Sequence, residues 1–328
     1  MNSESKRAIG VIIGLAIFTA LSVIFIAPHD NQPPVFKGHE MALIKAGEFM
    51  MGPTESASAW IKANTGLQDW TLSSKAFPAT ISNDFYIAKH ETTVAQYRAF
   101  VEDTDFLTLA DRGHFPVTWD RKNKIWARQP GYSWAKPDFD QEEDYPVVCL
   151  SWGDANAYCE WLTLKARKAG IIEDGWVYRL PTEQEWEYAA RAGGTSIYAW
   201  GDDPNEARVY ANVLDSTPKP DGEELISPHF DSEDGFAYTA PVGQFSPNPN
   251  GLYDIQGNAW EWCINDYFDY PECNTGNKFL SKEYKYKVLR GGSWDNYMGS
   301  FAVTLRRVEK SWFASDTTSF RVVLAKEE

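Results

Sequence analysis

Three short segments mark where helices can begin in this chain, and little else in it is regular. Residues 93–96 (TVAQ), 151–154 (SWGD) and 182–185 (TEQE, with Pro181 just ahead) each place a Ser or Thr three positions before a side chain able to answer it. In such a capping box the hydroxyl oxygen accepts an orphan amide of the first turn, and the answering side chain accepts the amide of the cap residue. Behind the second box Ala155, Tyr158, Cys159 and Leu162 recur at helical spacing, and behind the third Trp186, Ala189 and Ala190 do the same. Strand-like runs are short, at 41–49, 84–88, 287–290 and 320–325, with Gly, Pro, Asn and Asp between them. The expectation is a mixed α+β domain in which irregular loops carry much of the chain and need local devices to hold them.

Composition narrows the function classes. A hydrophobic content of 43% is enough to build a core, and a net charge of −15 excludes nucleic-acid binding, which needs a surplus of Lys and Arg. Four cysteines are too few for a disulfide-built scaffold.

Residues 8–27 (AIGVIIGLAIFTALSVIFIA) carry no charge. At a rise of about 1.5 Å per residue they reach about 30 Å, the hydrocarbon thickness of a bilayer. Lys6 and Arg7 just ahead would also suit a cleaved signal peptide. The stretch is longer than a usual signal core, no small-x-small site is followed by an acceptable residue, and Pro28 follows at once, so an uncleaved anchor is favoured. The expected layout is a cytoplasmic tail (1–7), a transmembrane helix (8–27), a proline-rich spacer (28–40) and one domain (41–328) on the periplasmic or extracytoplasmic side.

Two segments carry oxygen-rich turns. Residues 251–262 (GLYDIQGNAWEW) combine two glycines with Asn258 and Glu261, a pattern suited to an oxygen-lined Ca²⁺ site and equally to a tryptophan-rich core turn. Residues 231–236 (DSEDGF) have the same character, and read alone they suit a solvated acidic loop. Cys263 and Cys273 are ten residues apart, and so are Cys149 and Cys159. A disulfide closing such a loop contributes about 2–3 kcal/mol, and four cysteines leave three connectivities open. The five histidines show no metal-binding spacing, and no nucleophile elbow or phosphate-binding glycine loop is present.

Eight blocks in order carry a resemblance: MALIKAGEFMMG (41–52), FYIAKHETTVAQYRAFV (85–101), YPVVCLSWGDANAYCEWL (145–162), YRLPTEQEWEYAARAGG (178–194), YAWGDD (198–203), GLYDIQGNAWEW (251–262), VLRGGSW (288–294) and SFRVV (319–323). The chain resembles the formylglycine-generating enzyme, or sulfatase-modifying factor, family, which includes the domains of pyoverdine maturation and ergothioneine biosynthesis. That resemblance implies a C-type-lectin-like fold with little regular secondary structure and two structural Ca²⁺ ions. The first ion would take Asn212, the Val213 carbonyl, Asp234 and the Phe236 carbonyl; the second would take Asn258 and Glu261 with carbonyls at Gln256 and Ala259.

The resemblance breaks at the catalytic centre. Copper-dependent members carry cysteines three and eight positions after the serine of GGS, where this chain has Asn296 and Phe301. Cu(I) requires soft thiolates, so conventional formylglycine generation is not expected, and any redox metal is left unidentified. The family's helix cysteine is kept as Cys159, but its usual partner is Val322. Ser293, Trp262, Arg290, Arg306 and Arg321 remain as a pocket frame, its tryptophans able to line a groove for a peptide or flat ligand, or its arginines simply bracing loops. Two roles follow: an extracytoplasmic protein in oxidative maturation of a peptide or secreted product, or a non-catalytic Ca²⁺-braced module that binds a ligand or partner protein at the membrane.

Overall fold

The computed structural model describes residues 38–65, 75–220, 229–267, 286–297 and 301–327. The expected membrane helix and Cys273 lie outside these residues; no helix among the described residues is long and apolar enough to cross a membrane. All of the described residues belong to one unit, Pro33–Glu328.

The chain opens with β1 (Met41–Ile44) and β2 (Gly47–Met51), so the single run expected at 41–49 is broken at Lys45 and Ala46. Asp84 explains the break: one carboxylate oxygen accepts the Ala46 amide and the other the Lys45 ammonium, each at 2.8 Å. Then come α1 (Glu55–Thr65), β3 (Phe77–Ile81), β4 (Phe85–Ala88), α2 (Val94–Thr104) and the hairpin of β5 (Val117–Asp120) with β6 (Ile125–Arg128). The remaining helices and strands are α3 (Trp152–Lys168), β7 (Trp176–Arg179), α4 (Glu183–Arg191), α5 (Ala207–Tyr210), β8 (Trp260–Asp266), β9 (Tyr286–Arg290), β10 (Arg307–Lys310), β11 (Thr318–Ser319) and β12 (Val323–Lys326).

All three capping boxes form as the spacing requires. Thr93, Ser151 and Thr182 each accept the amide three residues on, and Gln96, Asp154 and Glu185 each accept the cap amide in return. Asp154 also accepts the Leu109 amide at 3.1 Å, so the cap of α3 holds the loop before β5 as well. The face of α3 expected from spacing, Ala155, Tyr158, Cys159 and Leu162, is buried.

Two four-stranded sheets organise the core. The first runs β1-β4-β12-β7, antiparallel throughout; the second runs β10-β9-β8-β11, with β11 parallel to β8. A large apolar cluster gathers α2, α3 and one set of strand residues around Tyr97, Tyr158, Trp262 and Phe320. A second gathers α4 around Trp186, Ile87, Cys263 and Val288. Residues 260–262, read in the sequence as a loop, begin β8 instead; neither face of β8's first half meets solvent, so no alternation betrays it. At the C-terminal end the strand begins at Val323 rather than 320, because Phe320, Arg321 and Val322 turn their backbone to other partners, Phe320 O to the Thr92 amide and Val322 O to the Ala88 amide.

Candidate functional site

The centre of the molecule is a buried charge cluster. Arg321 is fully buried; its Nε and one Nη meet the two oxygens of Glu261 at 2.7 Å each. Its other hydrogen bonds go to the carbonyls of Ala88, Lys89, Tyr253 and Asp254. Trp186 Nε1 adds a third donor to Glu261 at 2.7 Å. Glu261 is therefore satisfied within the protein.

Its neighbours are not. Glu91 is completely buried and neither of its carboxylate oxygens has a hydrogen-bond partner. Asp254 accepts the Gly243 amide at 2.6 Å through one oxygen, while the other has no partner. Burial first, and then the Asp254 charge, pushes Glu91 well above the usual carboxylate range. Burial raises Asp254 to about 6. Three carboxylates against one guanidinium leave a net negative charge in a dry interior, which is costly without protons or a cation. Oxygen atoms without partners are what Ca²⁺ or another hard cation takes. Among the described residues no group of three His, Cys, Asp or Glu converges as a ready metal cage.

The residues expected at the second calcium site make hydrogen bonds within the protein. Asn258 Oδ1 already accepts from Asn212 Nδ2 at 3.1 Å and from the Ala240 amide at 2.8 Å, so it braces loops. Gln256 accepts the Ala199 amide and donates to the Phe301 carbonyl. Ala259 is buried against Val148 and Cys149. Sequence reasoning missed Glu91 and Asp254. Asp254 stood in the quoted GLYDIQGN stretch, and Glu91 two residues before a helix cap, but nothing local links them.

The residues expected at the first site lie close together. Asp234 accepts the amides of Val213 (2.9 Å) and Phe236 (2.8 Å), which draws both residues to it. Burial raises the Asp234 carboxyl to about 7, and the Asn212 Oδ1 atom is buried without a partner. These four residues fit an oxygen-ligated cation.

The pocket frame is filled. Phe301, at one expected copper position, is 1% exposed and packs with Tyr198, Val213 and Phe230. Gly292 allows this, since a Cβ there would lie 2.8 Å from the Phe301 ring. Asn296, at the other position, accepts the amide and hydroxyl of Ser293 at 2.9 and 2.8 Å. Arg290 is buried between Glu183 (3.1 Å) and Glu187 (2.5 Å), and Arg306 is bidentate to Glu183. Trp262 is fully buried and donates to the Leu150 carbonyl. Trp262, Arg290, Arg306 and Arg321 each make hydrogen bonds within the protein, the arrangement described by the alternative in which the arginines brace loops.

The cysteines also depart from expectation. Cys149, Cys159 and Cys263 are free buried thiols, and burial pushes all three upward, away from the thiolate form that copper binds. Cys149 and Cys159 lie in different apolar clusters and do not pair. Cys159 and Val322 share one cluster, so packing stands where the resemblance implies a disulfide.

Residues 28–326 match the sulfatase-modifying factor enzyme 1-like domain. The chain belongs to this family. It is 33% identical over 265 residues to the formylglycine-generating enzyme of Streptomyces coelicolor, covering 72% of this chain and 77% of that protein. It is 35% identical over 187 residues to inactive C-alpha-formylglycine-generating enzyme 2 of Bos taurus, covering 54% of this chain and 50% of the relative. Among solved structures, PvdO from Pseudomonas aeruginosa superposes with a TM-score of 0.63 at 23% identity, covering 89% of this chain and 97% of that one. The fold of the sulfatase-modifying factor family is therefore present.

Proposed function

We propose that this sulfatase-modifying-factor-like chain is a cation-braced binding module, tethered to a membrane by residues 8–27 and facing the extracytoplasmic side, and not a copper-dependent formylglycine generator. The observation that carries the reading is Phe301: an aromatic ring, packed among Tyr198, Val213 and Phe230, fills the space where catalysis would require a thiolate. Asn296, the other replacement, is committed to holding Ser293. Ca²⁺ at Glu91 and Asp254, and at Asn212 and Asp234, would neutralise buried charge and hold the loops, supplying structure and no chemistry.

The test is metal analysis of the purified full-length chain with oxygen uptake in the presence of cysteine-containing peptides. The expected result is Ca²⁺ without copper and no oxygen consumption. Stoichiometric copper, or oxygen uptake that depends on the peptide, would overturn this reading in favour of oxidative maturation.

A further inference from the structure

A three-ring box lies outside the buried charge cluster. Phe139 stacks on Tyr238 with centroids 4.8 Å apart and planes at 6°, and Trp294 stands edge-on to both at 5.8 and 5.2 Å. Lys219 places its ammonium 4.4 Å from the Trp294 ring and 5.1 Å from the Tyr238 ring. A cation at this distance from an aromatic face is attracted by the ring quadrupole, most strongly at tryptophan.

Carboxyl groups surround the box. Asp316 is buried beside the box, and burial first, then the Asp295 charge, pushes its carboxyl well above the usual range, so the negative charge near the box comes from Asp295 and from Asp138, which is paired with Arg121. Arg121 pairs with Asp138 at 2.5 Å and donates to the Tyr238 hydroxyl at 2.9 Å, so it fixes one wall of the box. Asp295 is fixed in turn by the Ser293 hydroxyl at 2.6 Å. Rings and carboxylates are thus held by their own partners, and Lys219 is seated among them. Lys219 lies between Pro218 and Pro220, in a stretch without helix or strand, and is only half-buried. Its withdrawal would break no regular structure.

We propose that the box formed by Phe139, Tyr238 and Trp294 is a binding site for the primary ammonium group of a ligand, such as a lysyl side chain of a peptide, and that Lys219 is an internal occupant the ligand displaces. This rests on the reading of the chain as a binding module and names the chemistry of what it binds. Selectivity comes from the ring faces and neighbouring carboxylates, which attract a cation and offer nothing comparable to a neutral alcohol of the same length.

Calorimetric titration of the full-length chain with butylammonium chloride at constant ionic strength tests the proposal. Removing the internal competitor with Lys219→Ala should tighten binding at least tenfold, because an occupied site lowers apparent affinity by the fraction that is vacant. In the Lys219→Ala background, Trp294→Leu should abolish binding, and Asp295→Asn, a milder change at a partly exposed residue, should weaken it severalfold with the melting temperature unchanged. Butanol should not bind. Equal affinity with and without Lys219, or unchanged binding after both Asp295→Asn and Trp294→Leu, overturns the proposal. Copper content and oxygen uptake of the same preparation keep the two readings separate: ammonium binding with copper present sinks only the binding-module reading, and its absence in a copper-free chain sinks only this one.

Discussion

Arg321 and Glu261, sixty positions apart, form a fully buried bidentate pair in which both Glu261 oxygens sit 2.7 Å from the guanidinium. The pair ties the segment just before β12 to the second residue of β8, and the remaining Arg321 bonds gather two further loops through the carbonyls of Lys89 and Tyr253. One side chain thereby joins the two sheets.

Arg321→Leu should destabilise the protein by about 3–5 kcal/mol, since it leaves Glu261 charged and half-paired beside Glu91 and Asp254. Arg321→Lys should recover little, because an ammonium cannot reproduce the planar fork or reach both carbonyl groups. Urea unfolding measures both; a loss below about 1 kcal/mol for the leucine variant would contradict the role assigned to this pair.

Chelation should lower the melting temperature by several degrees, because a cation bound only to the folded state stabilises it by mass action. Glu91→Gln combined with Asp254→Asn should shrink that response and raise the stability of the chelated protein, since two buried carboxylates no longer lack a counter-charge. Calorimetry with and without EDTA decides; an unaltered EDTA shift in the double variant would place the cation elsewhere.

Phe301→Ala should cost about 3–5 kcal/mol through the cavity it opens among Tyr198, Val213 and Phe230. Asn296→Ala should cost only about 1 kcal/mol, the scale of a lost turn hydrogen bond. If thermal unfolding gave the two variants equal losses, Phe301 would not be the core side chain described above.

His39 supplies a pH dependence. It is buried, its Nε2 lies 2.7 Å from the Tyr158 hydroxyl, and burial, followed by the nearby His90, lowers its pKa to about 3. The unfolded chain binds that proton near pH 6.5, so between the two values the unfolded state holds more protons and stability rises with pH. The contribution is complete above about 6.5 and is lost as pH falls towards 3. His39→Gln should flatten the acid side of the stability profile across that window; an unchanged slope in stability measured from pH 7 to 4 would show that His39 is not its source.

What the sequence showed best was local. Each capping box is contained within four residues, and the α3 face repeats at helical spacing, so both were readable without knowing the fold. The ion pairs were not readable, because Arg290 and Arg306 reach Glu183 across 107 and 123 positions and no short-range pattern marks them. Glu91 and Asp254 escaped notice for the same reason, whereas Asp234 stood in the acidic DSEDGF turn and was singled out there. Neither β8 nor the packing of Phe301 could be inferred from residue type alone: the sequence shows a phenylalanine where the resemblance implies a thiolate, but only the structure shows that its ring is a core side chain.

The position of β12 has a consequence for synthesis. Its residues pair with β4 on one side and with β7 on the other, so the first sheet has a gap at its middle until residues 323–326 are available. A nascent chain lacking them would display two open strand edges and the apolar surface that Val323 and Leu324 otherwise cover. The first sheet can therefore be completed only after translation has passed these residues, and a product stopped short of them should be more readily cleaved by proteases than the full-length chain.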